Sequence, residues 1–97
     1  MPSHVVIAKW LAREGLEAEV AGALERLQAA SREEPGCREY RVHRELDVAG
    51  SFLLYEVYDD AAAYQAHLDS PHFKEHALDY GIPRLEMRER QFYEIVT

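Results

Sequence analysis

Three histidines lie close together in the second half of the chain, and they carry the chemistry most useful near neutral pH. His67 stands just before a break marked by Ser70-Pro71, and His72 and His76 follow that break. An imidazole with an unperturbed pKa of about 6.5 can accept a proton from a phenol or a quinol. We therefore predict that His67 is a general base or hydrogen-bond partner for such a substrate. The alternative is a structural histidine that bonds the backbone at the break.

His72 is predicted to lie in the first turn of the helix after Pro71, where it could bind an anionic or carbonyl oxygen of a ligand. The alternative is a surface histidine with no ligand. His72 and His76 are also spaced i, i+4, as in many zinc sites. However, Phe73, Lys74 and Glu75 between them do not form an HExxH motif, and no further ligand is evident. We therefore predict no metal.

Aromatic side chains could form a flat pocket that stacks on a planar substrate. We select Trp10, Tyr55 and Phe73 as substrate-binding residues, and plain core or interface packing is the alternative. Arg44 belongs to a small basic group with Arg41 and is a candidate anchor for a substrate oxygen; cross-strand ion pairs are the alternative. The sequence contains no dinucleotide, phosphate-loop or nucleophile-elbow motif and no CxxC, so we predict no cofactor.

The elements that must position these residues follow from hydrophobic periodicity. Alternating or β-branched runs predict four strands, and three- and four-residue apolar steps predict the helices. The predicted strands are 4–12, 37–47, 52–58 and 85–96. The predicted helices are 16–33, 61–69 and a segment that begins at Ser70-Pro71 and ends near Gly81. The order β-α-β-β-α-β is typical of the α+β, ferredoxin-like fold with a four-stranded antiparallel sheet.

Both faces of the predicted sheet carry bulky side chains, which bears on the oligomeric state. Ile7 and Trp10 lie on opposite faces of the first strand, and Phe92 and Tyr93 on opposite faces of the last. Helices cover one face only, and soluble monomers avoid a large exposed aromatic patch. We therefore predict a homodimer through the sheet faces, the alternative being a monomer with a partly exposed sheet.

Length and charge limit the remaining possibilities. The 97 residues are enough for one domain, 1–97, and the formal charge of −7 disfavours nucleic acid and anionic membrane surfaces as partners. The single cysteine excludes an intrachain disulfide framework. No apolar run reaches the roughly 20 residues of a membrane span, and no secretion signal is evident. We expect a mature cytoplasmic protein.

Several stretches of the sequence resemble a known family. These are EPGCREYRVHRE, then FLLYEVYDDAAAYQAHLDSPHFKEH, and a closing strand ending in FYEIV. They resemble the antibiotic biosynthesis monooxygenase (ABM) domain family over nearly the whole chain. The most specific part is Tyr55-Glu56-x-Tyr58 followed by Ala66-His67-x-x-Ser70-Pro71-His72-Phe73. The resemblance implies a dimeric α+β barrel.

The resemblance also implies a set of activities. The family includes cofactor-independent oxygenases of quinols and polyketide aromatics, haem-degrading enzymes, and isomerases of phosphorylated autoinducer-2. The haem-degrading branch uses an Asn, Trp and His set, and this sequence contains no Asn. We therefore expect a cofactor-independent monooxygenase of a small aromatic or quinol-like molecule, with His67 as base. The alternatives are an autoinducer-2-type isomerase and a non-catalytic dimeric ligand-binding or stress-response module.

Overall fold

The computed structural model describes residues 3–97. Four strands and three helices follow one another in the predicted order. The strands are β1 (His4–Ala12), β2 (Cys37–Arg44), β3 (Ser51–Tyr58) and β4 (Leu85–Tyr93). The helices are α1 (Glu17–Ser31), α2 (Ala61–Leu68) and α3 (Phe73–Gly81), and a short 3₁₀ turn, Ile82–Arg84, leads into β4.

The sheet is antiparallel throughout, with the strand order β2-β3-β1-β4. The two central strands are β1 and β3, where Ile7 pairs with Tyr55 and Trp10 pairs with Phe52. The outer strand β4 pairs with β1, which places Arg88 beside Trp10. This order and the βαββαβ connectivity confirm the predicted ferredoxin-like fold.

The core lies between one face of the sheet and the helices. Alternate residues of β1 point toward the helices, and Val6, Ala8 and Trp10 among them are at most 2% exposed. Helix α1 contributes Leu24 and Leu27, which are also buried. Each fully buried large apolar side chain contributes roughly 1.5–3 kcal/mol, so this face holds most of the hydrophobic stabilisation.

The other face of the sheet carries no helix. Its side chains alternate with those of the core, so Ile7 and Tyr55 face away from the helices. Both are partly exposed in the single chain, and Met87 and Tyr93 on β4 are 39% and 51% exposed. We refer to this surface as the open face. Its apolar character is the feature from which the dimer is predicted.

Two strands are shorter than predicted. Strand β2 ends at Arg44 rather than residue 47, and Leu46 is 86% exposed, because Asp47 adopts a left-handed backbone (φ 64°) in the turn to β3. Strand β4 ends at Tyr93 rather than residue 96, beyond which Val96 is 91% exposed. In both cases the apolar alternation continues past the last residue that finds a strand partner.

The predicted helix break is present and is built by side chains. Asp60 caps α2 by accepting a hydrogen bond from the Ala63 amide at 2.8 Å. The Ser70 hydroxyl donates to the His67 carbonyl oxygen at 2.7 Å and accepts from the Phe73 amide at 3.1 Å. Ser70 thus joins the end of one helix to the start of the next, as its residue type predicts.

Helix α3 differs from the expected α-helix because it is wound with i→i+5 hydrogen bonds. Its buried positions are Phe73, Ala77 and Gly81, whereas Tyr80 is only partly buried. Gly81 lies against the Trp10 ring, where a Cβ would come within 2.8 Å of Cζ3. The absence of a side chain there allows the wide helix to pack closely on the sheet.

Candidate functional site

Polar side chains are buried together where the turn after α1, strand β3 and helix α2 meet. We call Glu34, Glu56, Tyr58, His67 and His72 the buried polar cluster. His67 is 1% exposed and Glu56 is 4% exposed, and both are surrounded mainly by core residues. Burying ionisable groups is costly unless they are paired, so their contacts with one another are what make the cluster stable.

His67 lies in the last turn of α2 and is enclosed by aromatic rings. Its imidazole is 5.1 Å from the Phe73 ring, which meets it edge-on, and 5.3 Å from the Tyr58 ring, centre to centre. The rings of Tyr40 and Tyr64 lie at 5.7 and 6.1 Å. This apolar enclosure lowers the pKa of His67 by desolvation, against the opposing effect of Glu34, and so favours the neutral imidazole.

Glu34 connects the two histidines. Its Oε2 lies 2.8 Å from His67 Nδ1 and also accepts a short hydrogen bond from His72 Nε2. The Pro35-Gly36 turn brings Glu34 to this position, because Gly36 packs so closely on Ala63 of α2 that a Cβ would lie 2.5 Å from the alanine Cβ. With its Nδ1 proton held by Glu34, neutral His67 keeps a lone pair on Nε2.

Glu56 lies on the other side of the His67 ring. Its Oε1 is 3.9 Å from His67 Nε2 and accepts a hydrogen bond of 2.6 Å from the Tyr58 hydroxyl. Burial raises the pKa of Glu56 to about 7, although the Tyr58 hydrogen bond and the positive charge of Arg88 oppose the rise. A base with a free lone pair therefore stands beside a carboxyl group that titrates near neutrality.

Strand β4 adds positive charge next to the cluster. Arg88 and Arg90 project toward the helix side of the sheet, in line with Trp10 and Ala8 of β1. Arg90 Nη1 donates to the Tyr64 hydroxyl oxygen at 2.9 Å. The Nε atom of Arg88 is buried without a protein hydrogen-bond partner among the described residues, so it can donate to an oxygen of a ligand.

The structure brings together three of the six predicted site residues. His67, His72 and Phe73 lie in mutual contact because they flank one helix break. Trp10 is 2% exposed and packs in the core against Gly81 of α3. Its burial agrees with the packing alternative.

Tyr55 and Arg44 lie away from the cluster. Tyr55 is on the open face, so it cannot share a pocket with His67 on the helix side, because neighbouring Glu56 is the strand residue that points inward. Arg44 lies four residues beyond Tyr40 on β2, roughly 13 Å along the strand, and its guanidinium is 5.7 Å from the Phe52 ring.

Three residues of the candidate site were not predicted from the sequence. Glu56 interrupts the apolar run FLLYEVY at an inward position, which is a usable signal for a buried carboxylate. Glu34 and Arg88 carry no such signal, because their contacts with the cluster join segments far apart in the chain. His76, which the sequence groups with His67 and His72, instead lies 3.2 Å from the Glu75 carboxylate.

A cavity of about 400 Å³ opens near the cluster, at the N-terminal end of α2. It is lined by Ser3, His4, Asp60, Ala61, Phe92, Tyr93 and Glu94. The His4 ring stacks on Tyr64 at 5.1 Å, and Tyr64 stacks on His67 at 6.1 Å. His67 does not line this cavity, and the Tyr64 ring, stacked on both His4 and His67, lies between them.

The sequence pattern of one family spans the segments that build this cluster. The family described as antibiotic biosynthesis monooxygenase matches residues 3–77, which include Glu34, Glu56, His67 and His72. The protein belongs to this family. The ABM family model thus supports the resemblance seen in the sequence, over more than three-quarters of the chain.

Solved structures share the fold of this ABM protein. PA3566 from Pseudomonas aeruginosa has a TM-score of 0.92 at 24% identity, with 100% of this chain and 97% of that chain covered. Rv0793 from Mycobacterium tuberculosis has a TM-score of 0.89 at 24% identity, with 98% and 96% covered. A structure described as an antibiotic biosynthesis monooxygenase has a TM-score of 0.89 at 21% identity, with 97% and 99% covered.

Two searches found no match. No curated protein of known function matches its sequence significantly. Within residues 3–97, none of the helices has both the length and the apolar composition needed to cross a membrane.

Proposed function

We propose that this ABM protein is a cofactor-independent monooxygenase that oxidises a small planar phenol or quinol with molecular oxygen. One observation carries the proposal: neutral His67 is held between two carboxylates inside an aromatic enclosure. Glu34 fixes one ring nitrogen at 2.8 Å, and the other nitrogen keeps a lone pair that can take a proton. This is the arrangement of an oriented general base in a site of low polarity.

The reaction needs no reductant other than the substrate. A phenol and one O₂ give a quinone and one water, and a quinol and one O₂ give a hydroxyquinone and one water, so in either case the substrate loses four electrons and O₂ gains four. One oxygen atom forms the new carbonyl or hydroxyl group, and the other leaves as water with two hydrogens from the substrate. The phenolate transfers an electron to O₂ far more readily than the neutral phenol does, so the protein contributes by removing the hydroxyl proton.

Each residue of the cluster has a part in that step. His67 Nε2 accepts the substrate hydroxyl proton, and Glu34 holds the ring in the required tautomer and stabilises the imidazolium. The buried Nε of Arg88 has a free N–H for the phenolate oxygen. Glu56, half-protonated near pH 7, can pass the proton onward.

The substrate is proposed to enter through the cavity beside His4 and Phe92. Its volume of about 400 Å³ suits a ligand of one or two fused rings, and its walls include the rings of His4, Phe92 and Tyr93. Because Tyr64 separates this cavity from His67, we infer that a bound substrate displaces the Tyr64 ring.

The open face supports a homodimer as the working unit. Partly exposed apolar and aromatic side chains from three strands meet there. They include Ile7, Leu11, Leu53, Tyr55, Met87 and Tyr93. A second copy that packs sheet to sheet would cover this surface, which a soluble monomer rarely leaves exposed.

Oxygen uptake with a panel of quinols and polyphenols tests the activity. We expect turnover by the wild type and a loss of roughly 100-fold or more in kcat for His67→Gln, since general bases contribute about 10²–10⁴-fold. His76→Gln is the matched control, because His76 lies in α3, whereas His67 lies in α2, and its imidazole contacts Glu75 instead of the cluster. Absence of turnover on every compound, or equal rates for both variants, would contradict the proposal.

One observation favours a second candidate, a non-catalytic module that binds a ligand without changing it. His67 is 1% exposed and does not line the cavity beside His4 and Phe92. Tight binding of an aromatic compound that is recovered unchanged under air would favour this candidate. Conversion under strictly anaerobic conditions would instead indicate an isomerase.

A further inference from the structure

We propose that Glu34, His67 and His72 form a binding site for a divalent first-row transition metal ion. The donor atoms are Glu34 Oε2, His67 Nδ1 and His72 Nε2, and all three lie within 4.8 Å of one another. The proposal rests on these positions and is independent of the proposed oxidation. The sequence predicted no metal because no further ligand beside the histidines was evident, and the fold supplies Glu34.

The three groups converge on one point. Both imidazole nitrogens are directed at the same carboxylate oxygen, which accepts a hydrogen bond from each. Two N–H groups therefore share one acceptor in a largely buried place. A metal ion at this point would replace the two hydrogen bonds with bonds from the metal to both nitrogens and to the carboxylate oxygen. Its positive charge would then lie directly beside the negative charge of Glu34.

The dimensions of the group fit a metal after a small expansion. Zinc binds histidine nitrogen and carboxylate oxygen at about 2.0–2.2 Å, so tetrahedral ligand atoms stand roughly 3.3 Å apart. The present distance from His67 Nδ1 to Glu34 Oε2 is 2.8 Å, so the two must separate by about half an ångström. The side chains of Glu34 and His72 can make this adjustment because they are 14% and 21% exposed, and they also give the ion access from solvent.

A carboxyl group stands beside the second ring nitrogen of His67, on the side away from the three donor atoms. Histidines that bind a metal through one nitrogen usually donate the other N–H to a carboxylate, which fixes the ring. Glu56 Oε1 stands 3.9 Å from His67 Nε2 and is held by the Tyr58 hydroxyl at 2.6 Å, so an approach of about 1 Å would complete that hydrogen bond. Two histidines and one carboxylate, with a position left for water, form a donor set that suits Zn²⁺ and Fe²⁺.

Metal binding and the proposed proton transfer exclude each other. A metal on Nδ1 forces the remaining ring proton onto Nε2, the atom that accepts the substrate proton in the proposed reaction. A bound ion would therefore inhibit the oxidation. This consequence alone rests on the proposed function, and it is measured separately from binding.

Direct titration of metal-free protein tests the site. Tag-free protein is stripped with EDTA and titrated with Zn²⁺ by calorimetry, with Co²⁺ as a spectroscopic probe and Fe²⁺ added under anaerobic conditions. We expect one ion per chain and tetrahedral Co²⁺ absorption. His72→Gln and Glu34→Gln, at positions that are both partly exposed, should each weaken binding at least tenfold. His76→Gln should bind as the wild type does.

Two results would overturn the metal site. One is the absence of saturable binding by the wild type for all three ions. The other is equal affinity in the wild type, His72→Gln and Glu34→Gln, which would place the ion elsewhere. Quinol oxidation in EDTA is assayed in parallel, so a failed oxidation and a failed metal site give different results.

Discussion

Replacing Glu56 with glutamine should change how the stability of the protein depends on pH. Glu56 is 4% exposed, and burial raises its pKa from 4.5 to about 7. The buried carboxyl group is therefore favoured in its neutral form, and ionising it in the folded state is costly. Glutamine has nearly the same shape, carries no charge at any pH, and can still accept the Tyr58 hydrogen bond with its amide oxygen.

The sign and size of the effect follow from proton linkage. Because the folded pKa is raised, the stability due to neutral Glu56 is complete below about pH 4.5 and is lost as pH rises through about 7. A change from 4.5 to about 7 corresponds to about 3 kcal/mol at most. His67, whose pKa burial lowers, contributes in the opposite direction in the wild type and in the variant alike.

The assay is urea unfolding of the wild type and Glu56→Gln at several pH values from 4 to 8, in EDTA. The difference in free energy of unfolding should shift by about 2–3 kcal/mol in favour of the variant between pH 4.5 and pH 8. The control is Glu39→Gln, because Glu39 lies on β2 next to Tyr40, the strand partner of Glu56, and so points to the opposite face of the sheet. This variant should show no comparable trend. A pH-independent difference between wild type and Glu56→Gln would refute this description of the buried carboxyl group.

Three further predictions concern the fold that positions the site. Ser70→Ala removes the cap at the helix break and should cost about 0.5–2 kcal/mol by urea unfolding, whereas no loss would show that the cap is unimportant. Gly81→Ala should cost about 1–3 kcal/mol in the same assay, because its Cβ would meet the Trp10 ring; an unchanged midpoint would argue against this close packing. Tyr55→Lys should shift a dimer toward monomer in size-exclusion chromatography with light scattering, and a wild-type mass near that of one chain would contradict the dimer itself.

The fold was largely predictable because its signals are local. Alternation in β1 and three- and four-residue steps in α1 set those elements to within two residues, and Ser70-Pro71 marked the helix break. Helix α3 departed from the prediction because apolar spacing indicates a helix but does not distinguish i→i+5 from i→i+4 hydrogen bonds. The ends of β2 and β4 depended on where a partner strand stops, which composition does not reveal.

Of the candidate site, the sequence predicted only the residues that lie close together in the chain. His67, His72 and Phe73 flank one helix break, so the sequence places them together. Glu34 reaches His67 across 33 residues, and that contact depends on how the Pro35-Gly36 turn packs on α2. The sequence analysis placed Tyr55 in the pocket because it could not show which face of the sheet Tyr55 occupies. That face follows from the pairing of β3 with β1 in the structure.

Isotope labelling with ¹⁸O₂ tests the central proposal, a monooxygenase that uses His67 as base and needs no cofactor. The wild type is incubated in EDTA with the quinol that gives the fastest oxygen uptake, and the product is analysed by mass spectrometry. The proposed reaction inserts one ¹⁸O atom into each product molecule, and His67→Gln abolishes that incorporation while His76→Gln preserves it. A product without ¹⁸O, or incorporation that is the same in His67→Gln, would contradict the proposal.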